Sequence, residues 1–418
     1  APNANYCNNP PGTTPSTFTY TLSPGSSSTT VTVLVTCVND PPVADNDTFD
    51  FIGNTELRVD LAAVATPHAL ETTGTTFGVL DGDSDPVEGD AISVNSLTVG
   101  ACTDLSAPFD CTDAAVGTVH MMANGRFSFE PAAGDTGATE TFTYTIVDNG
   151  TPTPATSAPA TVTLTRFERV WYVNPGAAAG TGTSVSPLNA LTAINGAGGA
   201  GDVDLAGDYI FVYLGNSGTK PLAGGIELEN NQHLIGEHAG LSIPVNLNAN
   251  GSPTNLVTAV AGNRPLIDNV TAGGSAVSAT NMIPIEIVGL SLMGNTNGID
   301  LTTTGAFAGS GATEIRENVI RGSGVEGVDI NAAGTGSLSL SIHDNTVTAG
   351  ARGIDVNRTA GTCTITAFQN NAISGNTGGS GVEITGVTFD AVPGNPIPSV
   401  SGGTTVIGHH SVIGSHVW

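Results

Sequence analysis

Four acidic residues recur within one short sequence pattern in the second half of the chain, and their type and spacing could support chemistry. The pattern is a glycine, an aliphatic residue, an acidic residue and a second aliphatic residue. It begins at Gly298, Gly327, Gly353 and Gly381, so it repeats after 29, 26 and 28 residues. Its acidic members are Asp300, Asp329, Asp355 and Glu383. Paired carboxylates perform acid and base catalysis in glycoside hydrolysis.

The elements that carry this pattern are predicted to be strands. Ile299 and Leu301 flank Asp300 in the alternation of a strand with one buried face, so Asp300 is expected to point outward. Repeats of this length, with several short strands, Gly corners and Asn turns, are typical of a β-solenoid. Stacked coils would align the four acidic residues in an outward carboxylate stripe, about 4.8 Å apart. Such neighbours repel unless a cation, water or basic residue intervenes.

The carboxylate stripe has two interpretations. A secreted polysaccharide lyase or glycoside hydrolase would use Asp329, Asp355 and Arg352 as candidate catalytic residues. A structural repeat would place one acidic residue on every coil, whereas an active site would gather several acidic residues at a single place. The recurrence favours the structural interpretation, whereas a groove that holds carboxylates beside an arginine would favour the enzyme.

A second acidic group in the first half of the chain suggests a calcium site. Its members, which lie among turn-forming Gly and Pro residues, are Asp81, Asp83, Asp85, Glu88 and Asp90. Calcium prefers oxygen ligands of this kind, although the spacing lacks the final glutamate of an EF-hand loop. Asp45, Asp47 and Asp148 would contribute if the fold brings them close. The alternative is that these residues serve turn geometry alone.

Composition limits the fold and the partners. The chain has 37 acidic and 10 basic residues, a net charge of −27, and 55 glycines among short apolar runs, as in an all-β protein. This charge repels nucleic acid and anionic membranes. No segment approaches the ~20 apolar residues of a membrane span, so no membrane insertion is expected. No signal peptide opens the chain, and Ala1 is expected to be an internal start.

The cysteines favour an oxidising compartment, and therefore a secreted or cell-surface protein. Cys7 with Cys37 and Cys102 with Cys111 are the natural disulfide pairs, although the sequence leaves the connectivity open. Cys363 is left over and is expected to be a buried apolar residue.

An internal repeat indicates that the first forty residues are part of a larger unit. Residues 18–22 (FTYTL) and 30–36 (TVTVLVT) predict a hairpin, and the same order recurs at residues 142–146 (FTYTI) and 160–165 (ATVTLT). A lone hairpin is marginally stable in water. We therefore expect upstream chain or a neighbouring subunit to complete it by strand addition.

Five motifs resemble the cadherin-like, immunoglobulin-type repeats of large bacterial surface proteins. They are residues 42–47 (PVADND), 78–86 (GVLDGDSDP), 117–119 (GTV), 124–131 (NGRFSFEP) and 142–145 (FTYT). The resemblance implies a complete repeat over residues 41–166, preceded by the C-terminal part of another over residues 1–40.

Residues 167–418 resemble the right-handed parallel β-helix of the pectate-lyase-like superfamily. The matching segments are residues 169–174 (RVWYVN), 209–214 (YIFVYL), 225–228 (GIEL) and 232–237 (QHLIGE). The resemblance implies that a short helix, predicted here at residues 188–194, caps the first coil. The polygalacturonase-type signatures are absent, which weakens the enzyme interpretation. His409, His410 and His416 could bind a transition metal or belong to an exposed tail.

The sequence thus predicts immunoglobulin-like β-sandwich repeats followed by a right-handed parallel β-helix, in an extracellular structural or adhesive protein. Its expected partners are further copies or neighbouring repeats, joined by strand complementation into a filament or sheath. A polysaccharide surface is the partner expected of an adhesin, and a polysaccharide-degrading enzyme is the alternative function.

Overall fold

A computed structural model describes residues 6–8, 14–36, 38–61, 69–72, 78–196, 201–215, 220–244, 254–281, 283–305, 311–321, 323–348, 350–377 and 381–389. Within these ranges the chain is almost entirely β, which confirms the predicted fold class. A two-stranded hairpin comes first, then a β-sandwich, then a parallel β-helix. The three histidines at residues 409, 410 and 416 lie outside the described residues.

The N-terminal hairpin is a sheet of its own, formed by β1 (Ser16–Leu22) and β2 (Ser27–Val33) in antiparallel pairing. Alternation places Phe18, Tyr20 and Leu22 on one face, and all three are exposed. The other face carries threonine and serine hydroxyls that bond across the strands. The hairpin therefore has an apolar face that no described part of the chain covers.

The β-sandwich consists of two packed sheets and a 3-10 turn at Gly78–Leu80. Its strands are β3 (Asp47–Gly53), β4 (Glu56–Val59), β5 (Ala69–Thr72), β6 (Ile92–Val99), β7 (Cys102–Asp104), β8 (Phe109–Asp113), β9 (Gly117–Met121), β10 (Phe127–Pro131), β11 (Thr139–Asp148) and β12 (Ala160–Val173). One sheet has the order β5-β4-β10-β9-β8, and the other has β7-β6-β11-β12 with β3 beside β12. Phe127 packs edge-to-face against Phe49 and Phe142, with ring centroids 5.2 and 5.4 Å apart, and so joins the two sheets.

Strand β12 belongs to both the sandwich and the β-helix. It is 14 residues long. Its first part pairs with β11 and β3, and residues 170–173 pair in parallel with β13 (Tyr209–Val212). Successive side chains of β12 are buried in two different cores. Tyr172 packs with the sandwich residues, and Trp171 packs in the β-helix interior. A shared strand therefore connects the two parts, and it crosses the boundary predicted at residue 166.

The β-helix is built from three parallel sheets, here called sheets A, B and C. Sheet A contains β13, β16 (His233–Gly236), β21 (Glu286–Val288), β24 (Thr313–Arg316), β27 (Ser337–His343), β30 (Thr362–Gln369) and β33 (Thr388–Phe389). Sheet B contains β14 (Leu222–Ala223), β19 (Leu266–Asn269), β22 (Ser291–Gly294), β25 (Val319–Arg321), β28 (Thr346–Thr348) and β31 (Ala372–Ser374). Sheet C contains β15 (Ile226–Glu227), β20 (Val277–Thr280), β23 (Ile299–Thr303), β26 (Glu326–Ala332), β29 (Arg352–Arg358) and β32 (Val382–Thr385).

Outside these sheets, β17 (Leu241–Ile243) and β18 (Thr254–Val257) form an antiparallel pair, preceded by a 3-10 turn at Glu237–Ala239. The side chains of Leu241 and Ile243 are buried with the sandwich core and with Phe211 of sheet A. The pair therefore covers the outer face of the first coils.

Stacked asparagines hold the turn between sheets A and B. Asn318, Asn345 and Asn371 are all buried there. The Asn345 side-chain amide donates to the Ile315 carbonyl at 2.8 Å, and its oxygen accepts from the Asn318 backbone amide at 3.1 Å. Each asparagine thus satisfies backbone groups that the turn would otherwise bury without partners.

The helix predicted at residues 188–194 is wrong, because this segment contains no helix. Leu188 instead bridges Val173, and its backbone bonds with Tyr172 and Asn174 along the edge of β12. Leu191 and Ile194 are buried in the β-helix core. An irregular segment can satisfy backbone groups of an open strand edge, which a helix cannot do with its own bonded backbone.

Candidate functional site

Sheet C carries the four predicted acidic residues at successive register positions. Strand pairing aligns Asp300 with Asp329, Asp329 with Asp355, and Asp355 with Glu383. Their aliphatic neighbours point the other way and are buried in the β-helix core. The preceding coil has Ser278 at this position, so the stripe begins on β23.

Arg352 lies beside the carboxylate stripe and balances part of its charge. Its guanidinium is 3.1 Å from Glu326, 2.5 Å from Asp355 and 3.5 Å from Glu383. Glu326 pairs with Arg352 at the start of their strands, and the sequence analysis missed it. The tetrapeptide pattern begins one residue after Glu326 and does not include it. Arg352 therefore holds together three carboxylates, those of Glu326 and of two stripe members, Asp355 and Glu383.

Burial changes the acidity of the stripe. It raises the pKa of Asp329 to about 6, and the nearby charges of Glu326, Asp300 and Asp355 add to the effect. Burial also raises the pKa of Asp355, although the charge of Arg352 opposes it. A carboxyl group that keeps its proton to nearly neutral pH, next to other carboxylates, is the arrangement that acid and base catalysts use.

A second charged cluster, which is not predicted from the sequence, lies on the outer face of sheet A. Its members are His233, Glu286, Glu314, Arg316 and His343. Strand pairing aligns the first three on successive coils, and Arg316 with His343 beside them. Arg316 and His343 each precede a turn asparagine by two residues. Aligning the coils on those asparagines brings Arg316 and His343 to the same position, but the coils that carry His233 and Glu286 have no such asparagine.

Arg316 is the centre of this sheet A cluster. Its guanidinium lies 3.0 Å from Glu286 and 3.1 Å from Glu314. His233 Nδ1 is 2.7 Å from Glu286, and His343 Nε2 is 3.3 Å from Glu314. Burial alone would raise the pKa of Glu286, but the hydrogen bond and charge of His233 and the charge of Arg316 outweigh it, so this pKa is lowered. Glu286 is therefore an ionised carboxylate at neutral pH.

A cleft of about 260 Å³ opens beside the sheet A cluster. Its lining includes Tyr209, His233, Glu286 and Arg316, together with Ser242 from β17. The Tyr209 and His233 rings stack with centroids 4.2 Å apart. The cleft thus places a carboxylate beside an arginine, the arrangement that the sequence analysis associates with an enzyme.

Two of the acidic residues predicted to bind calcium, Asp83 and Asp85, accept hydrogen bonds from backbone amides. Asp83 accepts from the Asp45 backbone amide at 2.8 Å, while Asp85 accepts from the amides of Val87 and Glu88 and so closes a turn. Among the described residues, Asp81 and Asp90 included, no three His, Cys, Asp or Glu side chains are placed to share a metal ion. Calcium binding stays a prediction, and these contacts fit the alternative of turn geometry.

Two of the additional calcium candidates meet at a tyrosine. The Tyr144 hydroxyl lies 2.9 Å from Asp47 Oδ2, 3.0 Å from Asp83 Oδ2, 3.0 Å from the Asp45 carbonyl and 2.7 Å from the Val79 carbonyl. One hydroxyl proton cannot serve four acceptors. Burial raises the pKa of Asp47 to about 7, so its carboxyl can supply a second proton. Asp148 lies elsewhere, where it accepts from Asn39.

The cysteines fall into three situations. Cys102 and Cys111 form a disulfide that joins β7 to β8, and so ties together the two sheets of the sandwich. Cys7 is disulfide-bonded, and Cys37, the partner predicted for it, lies outside the described residues. Cys363 is a buried free thiol whose pKa is raised by burial to about 12, so it is inert at neutral pH.

Comparisons with known proteins identify one part of the chain. Residues 39–165 match the family of the bacterial Ig domain. A family 28 exopolygalacturonase from Yersinia enterocolitica is 11% identical, with a TM-score of 0.15, over 67% of this chain and 71% of that chain. A similarity this low carries no argument. No curated protein matches the chain.

In the described ranges, no helix has the length and apolarity to span a membrane. The chain therefore contains a bacterial Ig domain at residues 39–165, and a parallel β-helix follows it.

Proposed function

We propose that this chain is part of an extracellular bacterial surface protein with a structural role. The hairpin β1–β2 is completed by strand addition from a neighbouring Ig-type half, which joins units into a filament or sheath. Bacterial Ig domains are typical of surface proteins, and the disulfide between Cys102 and Cys111 fits an oxidising compartment. The observation that carries the proposal is the uncovered apolar face of the hairpin.

This apolar face has the composition of a core surface. Phe18, Tyr20 and Leu22 are 56%, 45% and 59% exposed. Fully burying an exposed side chain of this size contributes about 1.5–3 kcal/mol, so covering these half-buried ones would contribute roughly half of that each. In the described structure no further strand pairs with the outer edges of β1 and β2, and such edges are sites of strand addition. A partner sheet would therefore gain apolar burial and backbone hydrogen bonds together.

The test is cryo-electron microscopy of the native surface material. We expect ordered polymers in which a second Ig-type half covers β1 and β2. Phe18→Asp should abolish the polymers, because it places a charge on the apolar face. Thr19→Asp is the matched control, since its side chain lies on the opposite, hydroxyl-rich face. Discrete particles with a solvent-exposed hairpin would refute the proposal.

A second candidate function is polysaccharide cleavage, which the cleft on sheet A favours. Glu286 is an ionised carboxylate beside Arg316 and His233 there, and these groups could move protons at a bound sugar. Incubation with acidic and neutral polysaccharides, followed by measurement of new reducing ends and unsaturated products, tests this function. Turnover that Glu286→Gln removes would support it. Binding without products would instead support an adhesive role, and neither binding nor products would exclude both.

A further inference from the structure

We propose that the partner of the hairpin is an acidic Ig-type half that lacks its own last two strands, and that it recognises the Tyr20 hydroxyl through a pair of carboxylates. This inference rests on the proposed function, because it names the partner that completes the hairpin. It follows from a complete copy of the same arrangement within the chain.

The hairpin β1–β2 and the strand pair β11–β12 have the same register. The paired residues are Phe18–Val31 and Tyr20–Thr29 in the hairpin, and Phe142–Val162 and Tyr144–Ala160 in the Ig domain. Each pair carries the sequence Phe-Thr-Tyr-Thr on its first strand. Phe18 and Tyr20 therefore occupy the positions that Phe142 and Tyr144 hold in a finished domain.

The two copies differ in what covers them. Phe142 is 2% exposed and Tyr144 is 1% exposed, whereas the side chains at the same positions of the hairpin are about half exposed. In the Ig domain, β6 pairs antiparallel with β11, β3 pairs parallel with β12, and the sheet that contains β10 packs across the core. A partner for the hairpin must supply these same three features. It therefore corresponds to the segment from β3 to β10.

The position of Tyr20 adds a chemical requirement to this geometry. In the Ig domain, the equivalent hydroxyl of Tyr144 lies within 3.0 Å of the Asp47 and Asp83 carboxylates. Both carboxylates come from the segment that the hairpin lacks. The partner is therefore expected to present two carboxylates to the Tyr20 hydroxyl. A phenylalanine at this position would fill the same space and leave those buried acceptors without their donor.

An intact second copy of this chain does not fit the requirement. Its own β3 and β6 are already paired with β12 and β11. Strand β12 continues to Val173 and is held there by β13 of the β-helix, so it cannot leave its place for a hairpin from another copy without opening the first coil. The partner is consequently an Ig-type half in which the positions of the last two strands are open.

The experiment fuses residues 39–138 of this chain, which include β3 to β10, in front of Ala1 of the full chain. Hydrogen exchange of residues 16–33 is then measured with and without the fusion. We expect the fusion to slow exchange of these amides at least 100-fold. Tyr20→Phe should reduce this protection at least 10-fold, and Thr19→Ala should leave it unchanged.

The outcomes separate this inference from the proposed function. Protection that Tyr20→Phe leaves intact would overturn recognition by carboxylates. Suppose that exchange stays fast in the fusion although the hairpin is covered in the native material. This result would overturn the inferred partner, whereas the proposal that the hairpin is completed by strand addition would survive. If the fused half fails to fold, Tyr144→Phe in the full chain tests the same pocket, and an unchanged melting temperature would overturn the requirement for a hydroxyl.

Discussion

The surroundings of the Asp47 carboxyl make the stability of the folded chain depend on pH. It lies beside the Tyr144 hydroxyl, and burial raises its pKa to about 7, with the neighbouring aspartates adding to the effect. In the unfolded chain an aspartate has a pKa of about 3.9, so the folded state binds this proton more tightly. The stabilisation is present in full below about pH 4 and is lost as the pH rises through about 7.

We predict that Asp47→Asn removes this pH dependence. The amide can donate to the Tyr144 oxygen at every pH and carries no charge to bury. The free energy of unfolding should rise by on the order of 1–2 kcal/mol at pH 8 and change little at pH 4. Calorimetric unfolding of the full chain between these pH values measures the effect, with the exposed Asp110→Asn as the control. An unchanged pH slope in the Asp47 variant would show that this carboxyl is ionised throughout.

The sequence identified these carboxylates as a group and could not identify their partners. The acidic run around Asp83 predicts oxygen ligands because residue type is local information. Its actual contacts come from Asp45, 38 residues away, and Tyr144, 61 residues away. Sequence spacing within the loop carries no information on such contacts. The carboxylate stripe was easier to predict, because a repeated strand pattern fixes both direction and register.

At the scale of elements, an asparagine-containing turn between sheets A and B recurs in successive coils. We predict that Asn345→Ala costs about 2–4 kcal/mol, because it leaves the Ile315 carbonyl and the Asn318 amide buried without their partners. Urea unfolding measures the loss. Asn331→Ala is the control, since its side chain donates to Asp329 on the outer surface of sheet C. Equal losses in the two variants would mean that the turn asparagines have no special role.

The secondary-structure elements also show where a sequence pattern does not predict the structure. The four tetrapeptides and the asparagines between them predict coils, because every coil repeats the same local requirement. The cap at residues 188–194 is unique, so no repeat specifies it. Its apolar residues Leu191 and Ile194 suit a helix or an irregular plug equally well. The open edge of β12 favours the irregular segment, because its backbone groups need partners whose own amides and carbonyls are free to form hydrogen bonds.

For the whole molecule, the decisive feature is the strand shared by the Ig domain and the β-helix. Arg169 and Asp208 form a buried ion pair at this junction, with nitrogen and oxygen 2.6 Å apart. The arginine also donates to the carbonyls of Gly134 and Asp135, and the Trp171 indole donates to Asp208. The ion pair of Arg169 and Asp208 thus connects the loop before β11, the shared strand and the first coil. If the chain has the proposed structural role, such a junction would transmit load between the two parts without a hinge.

We predict that this junction makes the Ig domain and the β-helix unfold together. Asp208→Ala should leave the Arg169 charge buried and unpaired, at a cost of about 3–5 kcal/mol. Calorimetry should then resolve two transitions where the unmodified chain has one. The control is Arg169→Met combined with Asp208→Leu, which removes both charges and should cost less, because no buried charge is left without a partner. A single transition at an unchanged temperature in Asp208→Ala would mean that strand pairing along β12 couples the two parts without the ion pair.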